Sequence, residues 1–311
     1  MKTTGEGIAN GKIILMGEHS VIYGEPAIAF PFKATSIRAT IKKSREDALF
    51  SVYYNGELAN APSSLNNIKQ LIQTLKEAFG TPELALTLES TIPAERGMGS
   101  SAAVAVATTR AFFDWLELPL DESTLLTYVN QSEKIAHGNP SGIDAAATSG
   151  DQPIYFRKGE PFQNFNLNID AYLIVADTGV KGKTRDTVRE VARAFEQNPK
   201  ETKKYIEELG HLAQEAKLAI SQNQPMILGR VMNQAQEALQ TLQVSDQTLD
   251  HLIATARSSG ALGAKLTGGG RGGCMIALAA DYQQARLISE KLSEQGAKAT
   301  WIQELGVCQY V

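Results

Sequence analysis

The apolar and polar positions of this chain run in two rhythms. From Ile37 to Ile41 they alternate, and "SIRATIKK" is predicted as a strand with one face buried. "KIILMG", "LFSVYY" and "LALTLES" read as further strands of the first half. Before the last of these, "SSLNNIKQLIQTLKEAF" places Leu65, Ile68, Leu71, Ile72 and Leu75 on one helical face behind two serines. Residues 100–116 are rich in Ala and Val and predict a buried helix. Asp121 starts the next helix, which passes through Leu125, Leu126, Val129 and Ile135 and ends near His137 and Gly138.

In the second half "AYLIVADTG" is a strongly apolar strand, and helical patterns follow over about 184–222, 225–241 and 246–260, punctuated by "NPK" and "NQP". Two strands then flank "GGGRGG", a helix covers 281–295, and "KATWIQEL" and "VCQYV" close the series as strands. This order suggests a sheet with helices on one face. The polar, turn-rich "RKGEPFQNFNLN" marks a boundary, giving expected domains over 1–165 and 166–311.

A chain of 311 residues, 43% hydrophobic and 21% charged, can bury one large core or two ordinary ones. Its formal charge of −4 argues against a nucleic-acid binder. Cys274 and Cys308 do not make a disulfide framework, so a reducing cytoplasm is expected. His19, His137, His211 and His251 lack metal spacing with cysteines. No stretch has the length of a membrane span, and the N-terminal residues lack the apolar core of a signal peptide.

Candidate chemistry sits in islands. In "GKIILMGEHSVIYGEPAIAF", Lys12 enters an apolar strand and Glu18 and His19 follow a glycine just after it. Singly, the lysine is a snorkelling strand residue and the histidine an ordinary surface or core one. "PAERGMGSSAAVAVA" puts Gly97 and Gly99 before Ser100 and Ser101 at a helix start, where backbone N–H groups bind anions without any lysine. A glycine turn with a serine cap is the plainer reading. "SEKIAHGNPSGIDAAATSG" carries Glu133 at a helix end. It also sets Asp144 among Ile143 and Ala145 to Ala147, apolar company in which a carboxylate needs a partner. "KLTGGGRGGC" alone reads as a glycine-rich hairpin. The loop at 97–101 lacks the spacing of a dinucleotide fingerprint, which discounts an oxidoreductase.

Together, "GKIILMGEHSVIYGEPAIA", "GMGSSAA", "HGNPSGID" and "KLTGGGRGGC" resemble the GHMP kinases, in the family's order and over nearly the whole chain. "GEHSVIYG" and "HGNPSGID" narrow the resemblance to the branch acting on mevalonate. It implies an α+β fold of two domains, the first like ribosomal protein S5 and the second ferredoxin-like. The implied activity is ATP-dependent phosphorylation of the C5 hydroxyl of mevalonate in isoprenoid biosynthesis. Another small-alcohol kinase of the family, acting on phosphomevalonate or homoserine, is the alternative.

By the same resemblance, Asp144 is the catalytic base with Lys12 beside it, and Ser101 and Glu133 are Mg²⁺ ligands. Gly97, Met98, Gly99, Ser100, Ser101 and Ala102 hold ATP, and Glu18, His19 and Thr184 hold the acceptor. Partners are then mevalonate and ATP, with no nucleic acid or membrane and with a homodimer left open. A relative that binds ligand without turnover should have lost part of the set Lys12, Ser101, Glu133 and Asp144, and all four stand. Against the family's frequent Pro-x-Gly-x-Gly-Leu-Gly-Ser-Ser, Glu95 replaces the first glycine and Arg96 precedes Gly97, and Arg271 stands inside the last glycine run. These three residues have no role by resemblance.

Overall fold

The computed structural model of the chain describes residues 1–138 and 140–306. The strand expected over "VCQYV", with Cys308, lies outside the described residues. The chain divides into two compact units, each discontinuous in sequence. Met1–Lys12, Pro31–Pro93 and Gly99–Asp151 form the first, and Ile13–Phe30, Ala94–Met98 and the chain from Gln152 on form the second.

The strands β1 (Thr4–Met16), β2 (Ala27–Lys43), β3 (Ala48–Phe50), β4 (Asn55–Glu57) and β5 (Leu84–Ser90) carry the first unit's sheet, with β1 paired to β2. The path runs β4–β3–β5–β2, with β2 antiparallel to β5 and β3 parallel to it. "LFSVYY" yields a shorter strand than its apolar content suggests. The Ser51 hydroxyl accepts from the N–H groups of Tyr53 and Tyr54 and turns the chain, leaving Val52 and Tyr53 exposed.

Helices α1 (Asn66–Phe79), α2 (Ser100–Leu116), α3 (Glu122–His137) and α4 (Ile143–Ser149) pack in this unit. The small residues of α2 have a reason. A Cβ added at Gly5 would lie 2.3 Å from the Ala111 carbonyl oxygen, and one at Gly7 2.2 Å from that of Ala107. Glycine on β1 and alanine on α2 together let the two backbones meet. Asp121 caps α3 by accepting from the Thr124 N–H at 2.8 Å, as its place in the sequence predicts.

In the second unit β6 (Ile154–Phe156) pairs with Ala27–Ala29 of β2 and with β7 (Gln163–Asn164). The strand β8 (Tyr172–Asp177) precedes α5 (Thr184–Gln197), α6 (Pro199–Ser221), α7 (Pro225–Thr241) and α8 (Gln247–Ser258). The helical pattern over 184–222 is thus two helices. Asn198, at φ −137° and ψ 69° and so outside the helical region before Pro199, ends the first, and the proline opens the second. Then come β9 (Gly263–Thr267), β10 (Cys274–Ala279), α9 (Tyr282–Glu294) and β11 (Ala299–Glu304).

The sheet order β11–β8–β10–β9, antiparallel throughout, places the fourth strand beside the first and the third beside the second. This is the ferredoxin-like arrangement. Its cover extends beyond helices on one face. β9 and β10 are buried at every residue, so both their faces are covered. Lys265 and Thr267 share one face of β9 and reach Glu18 and Ile14, so the N-terminal segment covers that face. Among the described residues no helix is long and apolar enough to cross a membrane.

Candidate active site

Lys12 ends the first unit's share of β1, and its ammonium lies 2.9 Å from the Asp144 carboxylate. Asp144 occupies the first turn of α4, just past Gly142. It has the partner its alanine neighbours demand, yet its side chain is 37% exposed where Lys12 is 3% exposed. The lysine is the buried member, and the carboxylate faces outward from it.

Gly99, at the start of α2, has a φ of +70°, and a Cβ there would sit 2.6 Å from Lys12 Cγ. The glycine makes room for the lysine stem. Among the described residues no side chain caps the first turn of α2, which leaves its amides and its partial positive charge to an anion. Met98 and Ala102 have buried side chains, so only their backbones are candidates for contact with a phosphate.

In the first turn of α2, the Ser101 hydroxyl donates to Glu133 Oε1 at 2.6 Å. Asn67 Nδ2 lies 3.3 Å from Ser101 Oγ and 3.4 Å from Ser132 Oγ and fixes both hydroxyls. Burial raises the Glu133 pKa above the ordinary carboxylate value. The Asp144 charge adds to this, and the Ser101 hydrogen bond, His137 and Lys12 oppose it. A cation at Glu133 would relieve that cost. Among the described residues no cluster of three or more His, Cys, Asp or Glu side chains forms a metal cage. A buried carboxylate beside a hydroxyl, both hard oxygens, suits Mg²⁺, which takes few protein ligands and keeps phosphate oxygens as others.

His19 and Thr184 come together in the second unit at Gly269, and Glu18 precedes His19 with its carboxylate buried against Lys265. The Ser20 N–H donates to the Glu18 carbonyl at 2.7 Å, so His19 is the centre of a three-residue turn at φ 63° and ψ −44°. This positive-φ γ-turn is rare and strained. His19 Nε2 lies 3.0 Å from the Gly269 oxygen, which can only accept, so the ring carries its proton on Nε2. Nδ1 is buried and has no hydrogen-bond partner among the described residues. Thr187 of α5 donates to the same carbonyl at 2.8 Å, and Gly269 approaches so closely that a Cβ there would meet the Thr184 hydroxyl.

Burial pushes the His19 pKa down from 6.5 to about 4, against the Gly269 hydrogen bond and with help from the Lys265 charge. As pH falls from 6.5 toward 4 the unfolded chain takes the proton first. Stability should therefore fall over this range, by at most about 1.4 kcal/mol per pH unit from this residue. Denaturant unfolding of the parent and of His19→Gln across these pH values checks this. A parent whose slope matches that of the variant would refute the buried neutral ring.

Three side chains beside the candidate residues escape a reading of the sequence. Lys265 is fully buried against Glu18, although its only signal is a lysine inside an apolar strand, the same signal that marks Lys12. Asn67 looks like any polar residue at a helix start. Arg96, next to the Glu95 that replaces the family's first glycine, donates from Nε to Asp177 at 2.8 Å and from Nη2 to the Gly179 carbonyl at 3.0 Å. It ties the start of the glycine-serine loop to the end of β8.

Comparison with known proteins identifies the relatives of the chain. Residues 66–151 match the N-terminal domain of GHMP kinases and residues 203–298 their C-terminal domain. The mevalonate kinase of Pyrococcus abyssi is 33% identical over 322 residues, covering 96% of both chains. The crystal structure of mevalonate kinase from Staphylococcus aureus MRSA252 is 32% identical, with a TM-score of 0.76 over 98% of this chain and 100% of that one. L. major mevalonate kinase, solved with R-mevalonate, is 26% identical with a TM-score of 0.84 over 99% of both chains.

Proposed function

The chain belongs to the GHMP kinase family, with mevalonate kinases among its relatives, and from that premise we propose that it transfers the γ-phosphoryl group of ATP to the C5 hydroxyl of mevalonate. The observation that carries this reading is the contact of Lys12 with a half-exposed Asp144 in the unit that also pairs Ser101 with Glu133. Phosphoryl transfer asks chiefly for positioning and charge neutralisation, and these four side chains supply both.

Asp144 accepts the proton of the attacking hydroxyl. The hydroxyl oxygen bonds to the γ-phosphorus, the bond from that phosphorus to the β,γ-bridging oxygen breaks, and ADP leaves. Lys12 holds the Asp144 carboxylate in place and screens the charge on the phosphoryl oxygens. The uncapped amides at the start of α2 receive the polyphosphate, aided by the glycines that admit it closely. Ser101 and Glu133 would hold Mg²⁺, which when bound neutralises charge on the triphosphate oxygens. Glu18, His19 and Thr184 serve the acceptor end.

An ADP-release assay over mevalonate, phosphomevalonate, homoserine and galactose tests the substrate. Mevalonate should be preferred by a wide margin, since a site built on specific polar contacts rejects analogues that leave them unmatched. Better turnover of homoserine or phosphomevalonate would move the substrate elsewhere in the family and leave the phosphotransfer intact.

A further inference from the structure

Lys265 takes no part in the chemistry above, yet it is fully buried in the middle of β9. Its ammonium pairs with Glu18 and donates to the Leu266 carbonyl at 2.7 Å. We propose that Lys265 is a positioning residue for the acceptor end of the site: its ion pair with Glu18 holds His19 in the strained turn against Gly269. The proposal rests on the assignment of Glu18, His19 and Thr184 to the acceptor.

Stability does not account for such a pair. Two charges taken wholly out of water lose solvation that their attraction seldom recovers, and apolar residues of the same size commonly serve as well or better. A strained backbone conformation also persists only where its surroundings over-determine it, and such strain gathers at functional sites. Here the surroundings are three ties made by alternate positions of one segment. Lys265 holds Glu18, the Thr267 hydroxyl donates to the Ile14 carbonyl at 2.8 Å, and the Gly269 carbonyl accepts from His19. They grip the chain on both sides of Gly17 and fix the turn at His19. Because Thr187 bonds the same Gly269 carbonyl and Thr184 lies against Gly269, the grip extends to the start of α5. Lys265 is thus placed to set His19 and Thr184 together. The charged groups around the ring, Lys265 and Glu18, compensate each other, so the buried imidazole stays neutral with Nδ1 as its acceptor.

Two variants test this in the full chain, Lys265→Met and the double variant Glu18→Gln with Lys265→Met. The double variant removes both charges and keeps a folded protein available if the single one, with an uncompensated carboxylate, does not fold. The ¹⁵N spectrum of the imidazoles, with His19 assigned through His19→Gln, should show in the parent one neutral tautomer protonated at Nε2. Loss of the lysine should give mixed tautomers at His19. The KM for whichever acceptor the panel prefers should rise about tenfold to a hundredfold, as misplaced contacts do, with the KM for ATP within about twofold of the parent.

An unchanged His19 spectrum in a folded variant overturns the proposal. So does an unchanged acceptor KM, which would make Lys265 a structural residue alone. If mevalonate proves not to be the substrate, the spectrum still decides the positioning claim, and the function fails separately.

Discussion

Asp144→Asn should bind nucleotide as the parent does and turn over about 10²–10⁴-fold more slowly, the usual contribution of a general base. Asparagine fills the same space and can still accept from Lys12, so the buried ammonium keeps a hydrogen bond. The exposure of Asp144 means that little packing is lost, and thermal unfolding of the variant should confirm it. Lys12→Met should be similarly impaired, and the double variant should lose less than the sum, because the two residues act as one unit. A loose transition state calls for orientation of the hydroxyl more than removal of its proton, and either role gives slow turnover with intact nucleotide affinity. A folded Asp144→Asn protein with near-parental turnover would take Asp144 out of the mechanism.

Glu133→Gln should separate stability from activity in opposite directions. Burial raises the Glu133 pKa above its ordinary value of 4.5, so the unfolded chain releases that proton first. The folded state then loses stability relative to the unfolded one as pH rises through this range, and at neutral pH an ionised Glu133 weighs against the fold. Glutamine keeps an acceptor for the Ser101 hydroxyl and carries no charge. Without metal, the variant should unfold at a higher temperature than the parent. Its turnover should fall on the order of 10²-fold or more and its Mg²⁺ titration should shift to higher concentration, since lesser disturbances around metal ligands already cost 10- to 100-fold. A parental Mg²⁺ titration would make Glu133 a buried carboxylate with no metal to hold, and a lower unfolding temperature would contradict the cost assigned to its burial.

Periodicity and end signals made the helices legible. Asp121 caps α3 where its position says it should, and the alanines of α2 announce a helix that another backbone approaches closely. Pro199 was visible, but punctuation that breaks one helix into two reads the same as punctuation that bends one. The Lys12–Asp144 and Ser101–Glu133 pairs could be named through family motifs, because each member stands in a distinctive string. Lys265 and Asn67 could not. Their meaning lies in which distant atoms they meet, and a strand lysine or a helix-start asparagine looks the same whether solvated or enclosed. The cover on the second face of β9 was hidden for the same reason, since it comes from residues some 250 positions away.

That separation governs how the chain comes together as it is made. Ile13, Leu15 and Met16 end fully enclosed in the second unit, in the segment tied to Lys265, Thr267 and Gly269. Closing so long a loop is thermodynamically mild, each doubling of length costing only about 0.6 kcal/mol. In time it is not mild. At the usual pace of translation, the residues that grip Ile14 and Glu18 leave the ribosome on the order of tens of seconds after them. Until then an apolar strand lacks the partners that will enclose it. The late arrival of the 265–269 segment, more than the depth of the final energy minimum, sets how long this strand stays open to wrong associations.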